Sequence, residues 1–311
     1  MTDCDFRIPQ KIPQEFFALI EKTEHIMKEH IENRGDKFQW NLQDFYTGAL
    51  LGEGKFGRVY LAIEKKTKIV VALKSLNKFE LINNGIEKQV LREIDIQSHL
   101  KHHRILELLT HFDDNEKIYL VLEFAAGGEV YKMLKKQPNQ RFSEKRSAKY
   151  IYQVADALEY CHKNGVIHRD IKPENLLLTH DGDIKLADFG WSIHSPLKKC
   201  TFMCGTLDYL PPEMINGQEY DFSVDHWSLG IMCYEFLVGD PPFFSQRTSA
   251  TFVKINKVDI TWPPLITAGA KDLISNLLQI NSTKRMPLQN VKTHFWIQEN
   301  IDANDTCKKR H

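Results

Sequence analysis

Between two apolar runs, the segment VIHRDIKPENLLL (166–178) carries Asp170, Lys172 and Asn175 on a polar island that a simple helix or strand would not need. A carboxylate there can accept a proton from a hydroxyl, a lysine can steady a phosphate, and an asparagine can hold a metal ion. Downstream, IKLADFG (184–190) ends a strand-like run on Asp188, a hard oxygen ligand of the kind Mg²⁺ prefers. A loop aspartate is most often a turn former. What precedes these residues in the chain argues for more than a turn.

Chemistry on a phosphate needs elements that hold the phosphate donor, and LGEGKFGRVY (51–60) places Gly52, Gly54 and Gly57 ahead of Val59. Glycines let the backbone approach phosphate oxygens and expose its N–H donors. The same spacing suits an ordinary hairpin turn, and its dinucleotide-binding use requires a helix directly afterwards. RVYLAIE and KIVVALK read instead as two apolar, β-branched strands, which favours a phosphate-covering hairpin. VALK (71–74) sets Lys74 in the second strand. Flanked by Val71, Ala72 and Leu73, its ammonium is held inward and needs an anionic partner. Glu93, on a helix predicted from Glu87 to Leu100, is the natural candidate; Glu87 and Asp95 remain alternatives.

The 311 residues suffice for one large domain or two lobes, and 42% hydrophobic with 26% charged residues is an ordinary globular composition. A formal net charge of zero gives no case for non-specific nucleic-acid or membrane binding. No apolar run approaches the ~18 residues of a membrane span, and MTDCDFRIPQ lacks the apolar core of a signal peptide, so an intracellular protein is expected. The cysteines read as free thiols; Cys200 and Cys204 with His194 lack a second ligand pair at zinc spacing. No GxxxxGK[ST] occurs, which excludes a P-loop nucleotidase. The pattern divides into an N-terminal extension (1–44) with an amphipathic helix at 14–33, a small β-rich lobe (45–124), a larger helical lobe (125–298) typified by SAKYIYQVADALEYCHKN (147–164), and a tail (299–311).

Taken together, the glycine loop, the strand lysine, HRDIKPEN and DFG are the signature elements of protein kinases, and the chain resembles that family from about Phe45 to Trp296. Pro211-Pro212-Glu213 stands where kinases have Ala-Pro-Glu, DHWSLG follows with Asp225, Trp227 and Gly230, and Arg285 is positioned to pair with Glu213. Lys172 in KPEN resembles the serine/threonine class. ADFGWSIHSP followed by CGTLDYLPPEM is similar to the Aurora kinases in particular. The resemblance implies an α+β, bilobal kinase fold, ATP and Mg²⁺ as cofactors, and Ser/Thr phosphorylation in mitosis (chromosome segregation, spindle and cytokinesis). Leu51, Gly52, Gly54, Gly57, Val59 and Ala72 would enclose the nucleotide. Leu122 would be the gatekeeper, with Glu123, Phe124 and Ala125 the adenine-binding hinge. Lys74 with Glu93 would orient the phosphates, Asn175 and Asp188 would bind metal, and Asp170 and Lys172 would serve the transfer. A nucleotide-binding scaffold without catalysis is the alternative.

The resemblance also implies a partner and a substrate preference. Glu129, Glu174 and Glu235 fall where basophilic kinases receive arginines just before the target residue. Thr110, where the spindle-associated Aurora type has glycine, tilts the likeness towards the chromosomal passenger type. That type implies an inner centromere protein-like activator and a location in the nucleus, on chromosomes and centromeres and on the spindle in mitosis, and otherwise in the cytoplasm. One departure concerns KKCTFMCGT (198–206). The activating threonine of Aurora kinases lies two residues before Cys-Gly-Thr, and here that position is Phe202, with Thr201 beside it. Lys198 and Lys199 give Thr201 the basic context of a substrate. The expectation is that Thr201 is autophosphorylated and pairs with Arg169, a buried cation otherwise lacking an anion.

Overall fold

The structure, a computed structural model, describes residues 40–54, 56–195 and 200–302. The segment 14–33, Lys198, Lys199 and the chain from residue 303 onward lie outside the described residues. The chain forms two compact units. The first comprises the chain up to Lys101 with Leu106–Ala126, the second His102–Ile105 with the chain from Gly127 onward.

β-Branched and aromatic residues at alternating positions build the first unit. Strands β1 (Phe45–Gly54), β2 (Gly57–Glu64), β3 (Val70–Asn77), β4 (Leu108–Asp113) and β5 (Lys117–Glu123) form one antiparallel sheet in the order β1-β2-β3-β5-β4. The period of two sends Val71 and Leu73 into a core with Phe45, Ala62, Ile69, Phe112, Tyr119 and Val121, and turns Ala72 and Lys74 to the other face. Burying a side chain such as Leu73 contributes about 1.5–3 kcal/mol. The helix Glu87–His99 buries Val90, Glu93, Ile94, Ile96 and Gln97, a stripe at helical spacing. Gln97 Nε2 donates to the Leu106 carbonyl at 2.9 Å, fixing that stripe to the chain ahead of β4.

Helices dominate the second unit. The helix Glu144–Lys163 begins at Ser143, whose Oγ accepts from the Arg146 N–H at 3.3 Å, and it packs along the helix Ser223–Val238. Every residue of that second helix from Ser223 to Leu237 is buried, so it has no solvent stripe and serves as the core itself. Gly230 permits the approach of the helix Ala268–Leu277 and the turn after it, because a Cβ there would meet Leu277 Cβ and Leu278 Cδ2 at 2.9 Å. Two short antiparallel pairings frame the chemistry-bearing turns: the hairpin Leu176–Leu178 with Ile184–Leu186, and outside it in the chain Val166–Ile167 with Ile193–His194.

A buried ion pair closes this unit. Arg285 meets Glu213 through both terminal nitrogens, at 2.6 and 2.7 Å, and also donates to the carbonyls of Ser223 and Gln279 at 3.0 Å. Its guanidinium lies 5.1 Å from the centre of the Trp227 ring. Such a pair adds little over an apolar substitute, but removing one member strands the other charge. Arg285→Met is therefore expected to cost about 3–5 kcal/mol, read as a lower urea midpoint. A loss below about 1 kcal/mol, the worth of an exposed pair, would contradict the burial argument.

Candidate functional site

In the first unit, β3 holds Lys74 opposite Val59 of β2 and Leu120 of β5. Its Nζ reaches Glu93 Oε1 at 2.7 Å. Glu93 is buried while Glu87 and Asp95 on the same helix are exposed, and Asp95 instead faces His99. The three glycines differ in role. A Cβ on Gly57 would lie 2.1 Å from the Ser75 carbonyl, so Gly57 is dictated by the close approach of β2 to β3. Around Gly52 nothing lies within 4 Å, and Gly54 has only the Gly57 carbonyl at 3.8 Å, which leaves clearance for a ligand over the hairpin. Ala72 and Leu122 are neighbours across β3 and β5, both buried, while Leu51 and Val59 remain partly accessible. Glu123 is fixed through its N–H to the Glu107 carbonyl (2.9 Å) and by accepting the Glu107 N–H (3.2 Å). Among the described residues, the Ala125 N–H enters no hydrogen bond, a donor suited to an adenine ring.

In the second unit, Asp170 sits at the centre of a closed network. Lys172 Nζ lies 3.0 Å from Asp170 Oδ2 and donates to Thr206 Oγ1 at 2.7 Å; Thr206 Oγ1 donates in turn to Asp170 Oδ1 at 2.8 Å. Asn175 Nδ2 donates to the Asp170 carbonyl at 2.8 Å and to Oδ2 at 2.9 Å. Pro173 starts the tight turn Pro173–Asn175, and the Asn175 carbonyl accepts from the Ala187 N–H at 2.9 Å, which ties this turn to the residue preceding Asp188. Asp188 has φ 60 and an exposed side chain, while the next residue, Phe189, is fully buried against His168 with ring centres 4.9 Å apart. Both metal candidates suit a hard divalent cation: Asp188 offers a carboxylate, and the donor bonds of Asn175 Nδ2 leave its Oδ1 as an acceptor. Thr206 carries no signal in the sequence beyond its place in CGT.

The three candidate acceptors of basic residues also lie in this unit. Glu129 Oε1 accepts from Lys132 at 2.7 Å, Glu174 is exposed, and Glu235 is buried with the Tyr209 hydroxyl donating to it. Burial, reinforced by the charge of Glu174, pushes the Glu235 carboxyl up to about 8. Thr201 is exposed. The Arg169 guanidinium meets no carboxylate among the described residues, yet it is not bare: Nε donates to the Trp191 carbonyl at 2.7 Å and Nη1 to the Tyr220 hydroxyl at 2.9 Å. These acceptors are neutral, on segments whose spatial proximity the sequence does not show. His102, His103 and Asp156 place three potential metal-ligand atoms within 4.8 Å. Asp156 is already held by Lys292 at 2.9 Å and Arg104 at 3.2 Å, which makes the group an ion-pair cluster.

The protein kinase domain model matches residues 45–297. The sequence is 53% identical over 288 residues to Aurora kinase B of Drosophila melanogaster, covering 93% of this chain and 87% of that one. It is 51% identical over 277 residues to Aurora/IPL1-related protein kinase 2 of Caenorhabditis elegans, covering 89% and 90%. The Aurora kinase of Schizosaccharomyces pombe is 56% identical over 266 residues, covering 85% and 74%.

The pairing of Lys74 with Glu93 has a kinetic signature. In a cycle of Lys74→Met and Glu93→Gln, the two losses in kcat/KM should be non-additive by about 1–3 kcal/mol. Additive losses would assign Lys74 a different functional partner.

Proposed function

This chain belongs to the Aurora family of serine/threonine protein kinases, and on that premise we propose that Mg²⁺–ATP is its donor, Asp170 its base and a hydroxyl preceded by basic residues its acceptor. The observation that carries the reading is the network around Asp170. A carboxylate has about four lone-pair sites. Among the described residues, Oδ2 receives Asn175 and Lys172 while Oδ1 receives Thr206 alone, so Oδ1 keeps a site for the proton of an incoming hydroxyl. Lys172 is already within reach of Asp170 and stands ready to steady the phosphoryl group that the hydroxyl attacks. Lys74, held by Glu93, would orient the donor's phosphates, and Gly52 and Gly54 would let backbone N–H groups approach them. Mg²⁺ held by Asp188 and Asn175 would neutralise charge on the phosphates. Lys74, Asp170, Asn175 and Asp188 are all present, which argues against a non-catalytic scaffold.

The activity belongs to mitosis, as membership of the Aurora family implies. We propose that the protein acts in the nucleus, on chromosomes, centromeres and spindle during mitosis, and is otherwise cytoplasmic, under an activating subunit of the inner centromere protein type. One feature supports a protein activator: the helix Lys78–Asn83 exposes Phe79 and Ile82 one turn apart, at 72% and 64%. Apolar side chains so open to water suit a partner's surface. Among the described residues, no helix is long and apolar enough to cross a membrane.

Glu129, Glu174 and Glu235 form the acidic set for arginine or lysine two and three residues before the target. Glu235, lifted to about 8, is mostly neutral at pH 7 and gains its charge as pH rises. Transfer of ³²P from ATP to paired serine peptides, one with arginines at those positions and one with alanines, tests both claims. The arginine peptide should win by roughly 10-fold or more in kcat/KM, and its advantage should grow between about pH 6.5 and 9. Glu235→Gln should flatten that rise. No transfer to either peptide would sink the kinase reading; transfer indifferent to arginine would sink the acidic-set reading alone.

A further inference from the structure

Kinase loops that need phosphorylation use the phosphate to neutralise and anchor a buried arginine. Here the arginine is already anchored. Arg169 is 8% exposed, and its backbone has φ 69. Tyr220, 3% exposed, accepts from Arg169 Nη1 at 2.9 Å and donates its own hydroxyl proton to the Phe202 carbonyl at 2.7 Å. The backbones of Cys200 and Tyr220 add a pair of hydrogen bonds, at 3.1 and 2.9 Å. One phenol thus joins the turn before the catalytic base to the loop that contains Thr201. Burial pushes the Tyr220 hydroxyl up to about 12, so it keeps the proton it donates across the physiological range.

The loop side chains are arranged differently. Thr201 is exposed, and Phe202 and Met203 are exposed at 66% and 51%. The Arg169–Tyr220 pair captures the Phe202 carbonyl, a backbone group, and the Tyr220 hydroxyl also contacts the Cys204 thiol. The anchor therefore does not depend on which side chain stands at positions 201 or 202. Beyond it, Gly205 packs so closely that a Cβ would lie 2.6 Å from the Arg169 carbonyl, and Thr206 reaches Asp170. Fixing the Phe202 carbonyl fixes the start of a short path that ends on the catalytic carboxylate.

We propose that Tyr220 is a positioning residue that anchors the loop through Arg169 in place of a phosphate, so that phosphoryl transfer does not require modification of Thr201. The inference rests on the assignment of Asp170 as catalytic base. Thr201 stays open to modification by this or another kinase, but its charge adds to a loop that is already held.

The test uses the full chain, before and after phosphatase treatment, with Thr201→Ala, Tyr220→Phe and Arg169→Lys assayed on one basic peptide. Phosphatase-treated wild type and Thr201→Ala should stay within about 3-fold of the untreated wild type, whereas Tyr220→Phe should lose about 10-fold or more in kcat with little change in the KM for ATP. Because Tyr220 acts through Arg169, adding Tyr220→Phe to Arg169→Lys should cost little more than the worse single change; a packing role would make the losses additive. A drop of about 10-fold on dephosphorylation or in Thr201→Ala, full turnover in Tyr220→Phe, or additive losses would each overturn the inference. Should Tyr220→Phe fail to fold, the phosphatase and Thr201→Ala measurements decide alone. A wild-type chain that transfers no phosphate under any condition overturns the kinase reading and the inference together.

Discussion

One buried carboxylate sets the geometry of the catalytic turn. Asp225, in the fully buried helix Ser223–Val238, accepts the backbone N–H groups of His168 at 3.0 Å and Arg169 at 2.8 Å, and makes a 2.8 Å contact with His162 Nε2. Burial alone would raise its pKa; the His162 bond, His168 and the Arg169 N–H together hold it below the usual carboxylate value. Hydrogen bonds to a charged acceptor contribute about 1.5–3 kcal/mol each. That is enough to offset the roughly 1–3 kcal/mol of a non-glycine residue held at positive φ, as Arg169 is. Without Asp225 the turn has no reason to adopt the conformation that presents Asp170.

The functional contacts of the second unit follow from that constraint. With the Arg169 backbone fixed, its side chain meets the Trp191 carbonyl and Tyr220, and Asp170 meets Thr206, Lys172 and Asn175. The same helix steadies the buried Arg285–Glu213 ion pair, because Arg285 also donates to the Ser223 carbonyl at its first turn. A single helix therefore fixes both ends of the segment from Arg169 to Glu213. Precision at Asp170 comes from this shared anchor, since buried, fully bonded groups have few alternative arrangements.

What was legible in the sequence was whatever local chemistry encodes. Apolar neighbours announce that Lys74 faces inward, and the predicted helix offers Glu93 as its natural partner, but only burial, which puts Glu93 on the stripe with Val90 and Gln97, separates it from Glu87 and Asp95. The island around Asp170 stood out because its polar residues interrupt apolar runs. The contacts that were missed join residues far apart in the chain: Thr206 to Asp170, Tyr220 to Arg169, Tyr209 to Glu235. No periodicity encodes such pairs, and a tyrosine ahead of a helix reads as ordinary packing. For that reason Arg169 looked like a bare cation waiting for a phosphate.

The most direct test of the account is Asp225→Asn, followed by hydrogen exchange at the His168 and Arg169 amides together with phosphoryl transfer. An asparagine of the same size keeps one acceptor oxygen but turns an NH₂ group towards donors that the second oxygen served. The account predicts faster exchange at one or both of these amides, at least the one left facing the NH₂ group, and a loss of about 100-fold or more in turnover, with a cooperative unfolding transition retained. Unchanged amide protection with wild-type turnover would contradict it, and would place the organising interaction elsewhere.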